Sequence, residues 1–415
     1  MKGIRKYMKC RHCGNQVENS FVNLGSSPPS NSYLTKITIN EPEKWYPLKV
    51  MVCDSCWLVQ TEDFVGVNEM FSDEYSYFSS FSSSWLKHAE TYVESMIEIC
   101  QLNSESNVVE VAANDGYLLQ YVKGKAIPCY GIEPTRDTAK AARKKGITII
   151  EEFFGVALAE QLRSEGRRAD LTVANNVLAH VPDINDFVKG FSILLKPNGV
   201  ATFEFPHLLN LIELKQFDTI YHEHYSYLSL IAVRAIFDKN GLSVFDVEEL
   251  PTHGGSLRIF AQRLDRGKRH LSENVDMLIK REKQAGINQR VFYSDFQDKV
   301  EMIKFELLSF LLEAKKNNKK VVAYGAAAKG NTFMNFAGIR ADLLSYVVDK
   351  NPAKQDKFMP GSRIPIVEEG WLKQDKPDFI VIFPWNLKDE IKQQLNYVRD
   401  WGGQFVIAIP EMTIE

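Results

Sequence analysis

Val108-Val109-Glu110-Val111-Ala112-Ala113-Asn114-Asp115-Gly116 is a short apolar run that breaks into small and turn-forming residues. A buried strand reads this way, and small residues after it let the backbone approach a neighbour or ligand closely. Downstream the texture repeats. CYGIEP (129–134) is a second apolar run, followed by the helical TRDTAKAARKKG (135–146) and by ITIIEE (147–152). ADLTVANNVL (169–178) is a strand that runs into a loop. INDFVKGFSILLKPNG (184–199) is a helix closed by a Pro-Asn-Gly turn, and GVATFEFP (199–206) is the next strand. Strand and helix alternating in this way predict an α/β fold with a parallel sheet covered on both faces.

Outward from this core the chain changes character twice. Upstream, residues 80–102 carry apolar residues at helical spacing and lead into the sheet. Residues 1–75 have no long helical period, many turn formers (SSPPSN, 26–31) and four of the six cysteines. Downstream, residues 270–318 are rich in Lys, Glu and Gln with an apolar stripe, which predicts one or two long connecting helices. KKVVAYGAAAKGN (319–331) then opens a second strand–turn–helix series, continued by LLSYVVDKNP, DFIVIFP and GQFVIAIP. The expected domains are therefore 1–75, 76–265 and 266–415, as suits a chain of 415 residues, too long for one core.

Bulk properties exclude several classes. Hydrophobic residues at 45% and charged residues at 25% match a globular protein, and a net charge of -3 offers no basic field for nucleic acid. No apolar run is long enough to span a bilayer, so no membrane partner is expected. MKGIRKYMKC lacks the apolar stretch of a signal peptide, which makes the cytoplasm the default location.

Cys10-Arg-His-Cys13 and Cys53-Asp-Ser-Cys56 are two knuckles, each presenting two thiolates on a tight turn. Two such turns can close a tetrahedron of sulfurs around zinc. His12 could replace one sulfur, but four cysteines leave no need for it. With four protein ligands no position stays open for substrate, so the zinc is expected to be structural. The competing reading is four unrelated buried cysteines.

The turn at 112–116 lies where a nucleotide-binding sheet receives its ligand, and Glu133 is spaced to meet a ribose diol. Ala112 stands where a glycine is usual, so the turn alone leaves a plain strand–turn–helix open. Asn175 and Asn176 at a later strand end, His180-Val-Pro-Asp183, and the helix–turn–strand ILLKPNGVATFEF together point to a class I methyltransferase sheet.

Tyr221-His222-Glu223-His224-Tyr225-Ser-Tyr227 is the densest chemical stretch, with two of eight histidines. Histidine is poised for proton transfer near neutral pH, and a neighbouring carboxylate would fix its tautomer. Methylation of carbon beside a ketone requires such a base, and a Tyr or His donor could stabilise the enolate oxygen. The alternatives are an aromatic surface loop and a metal chelate. The spacing is not His-Glu-x-x-His, and adjacent residues on a strand face opposite ways.

These motifs together resemble the sugar C-methyltransferases of deoxysugar pathways, which include C-3'-methyltransferases. The resemblance spans essentially the whole chain: the Cys10/Cys13/Cys53/Cys56 knuckles, Glu110 to Gly116, Tyr221 to His224, THGGSLR at 252–258 and YGAAAKGN at 324–331. It implies a zinc-binding N-terminal domain, a central S-adenosylmethionine domain built as a class I Rossmann-like sheet, and a smaller C-terminal Rossmann-like domain. The substrate implied is a nucleotide-linked 4-keto sugar of dTDP or GDP type, and a monomer would suit the fused layout. Carried over by position, His224 would be the base, with Tyr221 and Glu223 supporting it. His180 and Tyr75 match other active-site positions, with Tyr77 as alternative to the latter. Glu110, Ala112, Asn114, Gly116, Glu133, Asn175 and Asn176 would hold the cofactor. His222, Tyr324, Lys329 and Asn331 would lie by the substrate, Lys329 near its phosphates. Two departures stand out: Ala112-Ala113 replace the expected Gly-Ser or Gly-Cys, and His222 occupies a commonly acidic position, leaving two histidines as candidate base.

Overall fold

The computed structural model describes residues 8–62 and 78–415. Its centre is a seven-stranded sheet. In chain order the strands of the first half of the molecule are β1 (Met8–Lys9), β2 (Gln16–Val17), β3 (Asn19–Ser27), β4 (Tyr46–Val52), β5 (Val59–Thr61), β6 (Val108–Val111), β7 (Cys129–Ile132), β8 (Ile149–Ile150), β9 (Ala169–Asn175) and β10 (Leu195–Pro206). They are followed by β11 (Ser226–Tyr227), β12 (Leu242–Leu250) and β13 (Ser256–Arg263). The central sheet runs β12-β13-β10-β9-β6-β7-β8. The five strands from β10 to β8 are parallel, and β13 enters antiparallel to both β10 and β12. The order reverses at β6, so the loops after β6 and β9 diverge and leave a crevice at their carboxyl ends. This is the class I methyltransferase arrangement expected from the repeated strand–helix texture.

Two helices locate the site. α1 (Ser83–Cys100) is capped by Ser82, whose hydroxyl accepts from Trp85 N, and it buries Ala89, Tyr92, Val93 and Met96, four residues spaced along one face. The helix Ile184–Leu194 is capped by Asp183 in the same way. It ends before the Pro-Asn-Gly, which falls instead inside β10, where the register with β9 shifts. The sequence expectation of a helix running to that turn is corrected here. Pro197 cannot donate a helical N–H, and the segment flattens into strand.

The N-terminal part is a small antiparallel sheet, β11-β5-β4-β3, beside the β1–β2 hairpin. Its edge strand β11 comes from far along the chain, directly after the Tyr-His-Glu-His cluster. The connecting helices are Glu273–Ala285 and Phe296–Lys316. The C-terminal sheet contains β14 (Val321–Tyr324), β15 (Val347–Val348), β16 (Ile366–Val367), β17 (Phe379–Ile382), β18 (Gln404–Ile407) and β19 (Thr413–Ile414). Its order is β16-β15-β14-β17-β18-β19, parallel except at β19. Among the described residues no helix is long and apolar enough to cross a membrane.

Cores cross the three parts. Phe21, Val22 and Leu24 of β3 pack with Phe296, Val300 and Val321 of the C-terminal part, and the Phe21 and Phe296 rings stack at 4.5 Å. Cys10, Cys53 and Leu58 join the core under the central sheet. Continuous apolar burial across these boundaries couples the parts mechanically.

Candidate active site

The four knuckle cysteines converge. All their Sγ atoms lie within 4.8 Å of one another, with Cys10–Cys56 and Cys13–Cys53 at 3.5 Å. A tetrahedron with zinc–sulfur bonds of about 2.3 Å has edges of about 3.8 Å, so the donor set fits zinc. Gln60 Nε2 donates to Cys10 Sγ at 3.2 Å, the supporting bond that thiolate ligands receive. His12 turns away and its Nδ1 meets Asn185 Oδ1 at 2.9 Å.

At the cofactor crevice, Glu133 accepts the backbone N–H of Asn114 and of Thr135, both at 2.9 Å, and so ties the turn after β6 to the end of β7. Burial raises its proton affinity and those N–H donors oppose the rise. Ala112, Asn114 and Asn176 have φ of +60, +49 and +53. Left-handed backbone at non-glycine residues costs roughly 1–2 kcal/mol each, and such strain gathers at ligand sites. Gly116 is also left-handed, and a Cβ there would meet Ile147 Cδ1 at 2.4 Å. Asn114 Oδ1 accepts from Ser79 N at 2.9 Å, fastening the lead-in to α1. Glu110 is 1% exposed, and burial carries its carboxyl well above the usual range. The buried acceptors Asn175 Oδ1 and Asn176 Oδ1 have no hydrogen-bond partner within the described chain. A bound nucleoside with donor groups would satisfy them, so the residues present fit S-adenosylmethionine.

The Tyr-His-Glu-His segment divides its side chains between two surroundings. His224 Nδ1 sits 2.9 Å from the Thr219 carbonyl, where it must donate, so Nε2 is left as the basic nitrogen. Its ring lies 3.9 Å from that of Tyr221 and 4.6 Å from that of His180. Burial, with the charges of His180, His253 and Lys329, lowers the His224 pKa well below the ordinary value. His180 is lowered to about 4 by burial, against a hydrogen bond to the Glu223 backbone. His222 faces the other way, its Nε2 3.2 and 3.3 Å from the carbonyls of Tyr46 and Pro47. Glu223 accepts from Asn31 Nδ2 at 2.6 Å, and burial lifts its pKa to about 7. A carboxylate orienting the histidine ring, expected from the sequence, is therefore replaced by a backbone carbonyl. Glu223 points to Asn31, in the turn that follows β3, because the segment folds as a tight turn in which His224 N donates to the Tyr221 carbonyl at 2.9 Å. Tyr75 and Tyr77 lie outside the described residues.

The C-terminal candidates separate similarly. Tyr324 is on the far face of its sheet, among Tyr346, Leu372 and Ile391, with its hydroxyl accepting from Gln394 at 3.0 Å. The structure does not bring it to the His224 cluster, since alternation along β14 turns it away. Asn331 is fully buried, its Oδ1 accepting from Asn335, while the next residue, Thr332, donates to the Ile220 carbonyl at 2.9 Å. That bond sets the helix Ala328–Ala337 against the segment carrying Tyr221. Lys329 turns inward rather than toward the open glycine turn: Nζ donates to Asn386 Oδ1 at 3.0 Å and lies 4.4 Å from the Trp385 ring.

Three features escaped the sequence reading. His253, inside THGGSLR, has φ +55, and its Nε2 lies 3.1 Å from Asn176 Nδ2 with Trp85 at 5.3 Å. Glu204, read only as part of a strand, is fully buried and joins three partners: His88 at 2.8 Å, Arg258 at 2.9 Å and Thr252 at 2.9 Å. Asp218, also buried, accepts from Trp385 Nε1 at 2.7 Å. A charged residue within an apolar strand was the available signal for Glu204, and the THGGSLR motif for His253; nothing local marked Asp218.

Comparison with known proteins matches this architecture in chain order. Family models for a zinc binding domain, a methyltransferase domain and a C-methyltransferase C-terminal domain match residues 10–71, 85–247 and 251–410. The C-methyltransferase NovU of Streptomyces niveus is 30% identical over 408 residues, covering 98% of this chain and 97% of its own. Among solved structures, the PH0226 protein of Pyrococcus horikoshii OT3 aligns with a TM-score of 0.38 at 14% identity, over 48% of this chain and 100% of its own. Magnesium protoporphyrin IX methyltransferase of Synechocystis PCC 6803, with bound SAH, aligns with a TM-score of 0.35 at 17% identity, over 43% and 83%. The full-length sequence match, the zinc knuckles and the methyl-donor crevice agree: the chain belongs to the C-methyltransferase family, as a zinc-binding, S-adenosylmethionine-dependent enzyme.

Proposed function

We propose that the enzyme methylates carbon beside the ketone of a nucleotide-linked 4-keto deoxysugar, at C-3, and that His224 is the base. The observation that carries this reading is the His224 ring: Nδ1 is committed to Thr219 O, Nε2 is basic, and burial keeps the ring neutral and ready to accept a proton. In this reading Tyr221 orients the sugar, a role supported by its ring contact with His224. As Nε2 takes the proton, the C–H electron pair becomes the enolate double bond and the carbonyl pair moves onto oxygen. S-adenosylmethionine, when bound, supplies the methyl group that the enolate carbon takes while sulfur keeps the C–S electron pair. His224 then returns its proton to solvent.

In this reading residues 1–75 carry the structural zinc, 76–265 hold the methyl donor, and 266–415 hold the nucleotide end of a dTDP or GDP sugar. The nucleotide assignment is supported by a repeat of the cofactor-turn geometry. Asp349, after β15, accepts from Ala326 N and Asn351 N at 2.8 Å each, as Glu133 does from Asn114 and Thr135. Lys354, whose Nζ donates to Ala326 O at 2.8 Å, is the cation beside that turn. The chain is read as acting as a monomer.

The test is methyl incorporation from S-adenosylmethionine into dTDP-, GDP-, UDP- and CDP-linked 4-keto sugars, with the position of the new methyl group read by NMR. His224→Asn is expected to abolish transfer while S-adenosylmethionine still binds. Near-normal turnover in that variant, with loss in His222→Asn, would move the base to the other histidine. A methyl group found on oxygen or nitrogen would favour the competing reading of an O- or N-methyltransferase.

A further inference from the structure

A lysine in the first turn of a helix ordinarily extends its ammonium into water. Lys329 does not. It is half-buried, with one of its three N–H donors on Asn386 and its charge over the face of Trp385. Trp385 is itself fixed from two sides. Its Nε1–H is on Asp218, and it packs against Gly254, where an added Cβ would come within 2.3 Å of the indole. The C-terminal part is thereby closed onto the loop that carries His253.

Asp218 lies in the short turn Phe217–Thr219. The carbonyl of its neighbour Thr219 is the group that orients His224. One turn of chain thus anchors both the base and the indole that walls in the lysine. Among the described residues no carboxylate closes an ion pair with Lys329 Nζ, so its charge is held, without being neutralised by contact, over Trp385, which bridges the Asp218 turn and the loop of Gly254. Burial lowers the Lys329 pKa and Asp218 raises it, while Lys329 in turn adds to the burial effect at His224 and at His253.

We propose that Lys329 is the electrophile of this reaction: its ammonium receives the ketone oxygen of the sugar and stabilises the enolate formed when His224 takes the neighbouring proton. The proposal rests on the reaction given under the proposed function. Bond by bond, the C–H pair forms the C=C bond, the carbonyl pair settles on oxygen opposite Nζ, and the proton moves to His224 Nε2. After methyl transfer the carbonyl re-forms and the ammonium keeps all three protons. A fixed cation in a desolvated site favours the anionic oxygen over the neutral ketone, so it acts on the transition state more than on binding. A lysine that only anchored phosphates would act on ground-state binding instead.

The test compares wild type, Lys329→Met and Lys329→Arg in two measurements. One is exchange of the proton beside the ketone with solvent deuterium, without methyl donor, in dTDP-4-keto-6-deoxyglucose and its GDP, UDP and CDP counterparts. The other is steady-state methyl transfer on whichever of these turns over. Lys329→Met is expected to slow exchange and kcat by about 10²–10³ with KM changed less than about threefold, and Lys329→Arg to recover part of the loss. Calorimetry should show unchanged affinity for S-adenosylmethionine. A Lys329→Met enzyme with raised KM but normal exchange and kcat overturns the proposal in favour of a phosphate ligand. Loss of S-adenosylmethionine binding in both variants overturns it in favour of a structural role. Absence of exchange in the wild type with all four sugars refutes the proposed function itself, whereas exchange lost in His224→Asn and kept in Lys329→Met overturns the electrophile alone.

Discussion

Replacing Glu204 by Gln changes one atom of charge without changing shape, and its effect can be worked from its neighbours. The carboxylate is fully buried and takes His88 and Arg258 on Oε2 and Thr252 on Oε1. Arg258 is 6% exposed, so removing its buried partner leaves a desolvated guanidinium. Breaking a buried pair in this way costs about 3–5 kcal/mol. Arg258 keeps a second partner, Glu248, at 2.9 Å, and the glutamine oxygen still accepts one bond, so the low end of about 3 kcal/mol applies. Burial alone would raise the Glu204 pKa, but the His88 hydrogen bond and Arg258 outweigh it and hold it below the ordinary 4.5. A lowered carboxylate contributes stability that is present above its unfolded pKa and is lost as pH falls through the folded one. The gap between wild type and Glu204→Gln should therefore be full near neutral pH and shrink only in acid, below the usual carboxylate range. Equilibrium urea unfolding reads this directly, and Trp85, stacked on His88 at 4.9 Å, gives a fluorescence signal from the network itself. Because Thr252 tethers the loop bearing His253, methyl transfer should fall as well. A variant within about 1 kcal/mol of wild type near pH 7, or a gap that widens in acid, would refute the reasoning.

Two further outcomes follow from the same geometry. Glu223, raised by burial to about 7, contributes stability that is complete below 4.5 and lost as pH rises through 7. The buried histidines, whose pKa values are lowered, gain stability over part of the same window in both proteins, so the readout is the difference between wild type and Glu223→Gln, which keeps the Asn31 bond. That difference should fall by about 3 kcal/mol in thermal melts, and a difference as large at about pH 8 as at about pH 5 would contradict this. Zinc removal by chelation should lower both the melting temperature and turnover. The zinc-bearing sheet holds the segment of the proposed base through Thr61 N to Tyr225 O at 3.1 Å and Thr61 Oγ1 to His224 O at 3.3 Å. Metal analysis should find one zinc per chain, and unchanged turnover in the stripped protein would sever the link between zinc and catalysis.

Local signals were strong where chemistry and backbone coincide in sequence. The knuckles were legible because two turns of two cysteines suffice to surround a metal, and their sulfurs converge. The central sheet was legible because apolar runs alternate with helical periods, and the acidic Glu133 follows a strand, where it ties the turn after β6 to the end of β7. Legibility failed where a side chain's direction depends on its neighbours across the fold. Tyr324 and Lys329 sit five residues apart in one motif. Strand alternation sends the first to the far face of its sheet, and Trp385 and Asn386 draw the second inward. The Pro-Asn-Gly turn was placed one element too early because pairing with β9 extends the strand back over it.

What the sequence by itself determined is the set of parts: a zinc knuckle pair, a methyl-donor sheet, a second strand–turn–helix series and a histidine-rich segment. Each is written in a few adjacent residues, whose backbone demands are local. Only the tertiary structure gave the two histidines different surroundings. His222 and His224 are chemically alike in sequence, but the turn closed by His224 N on the Tyr221 carbonyl leaves the first on the Tyr46 and Pro47 carbonyls and the second on that of Thr219. The contacts around His224 come from residues 61, 180, 219 and 221, and Trp385 reaches the same segment through Asp218. These contacts join residues far apart in the chain, and no local pattern encodes them.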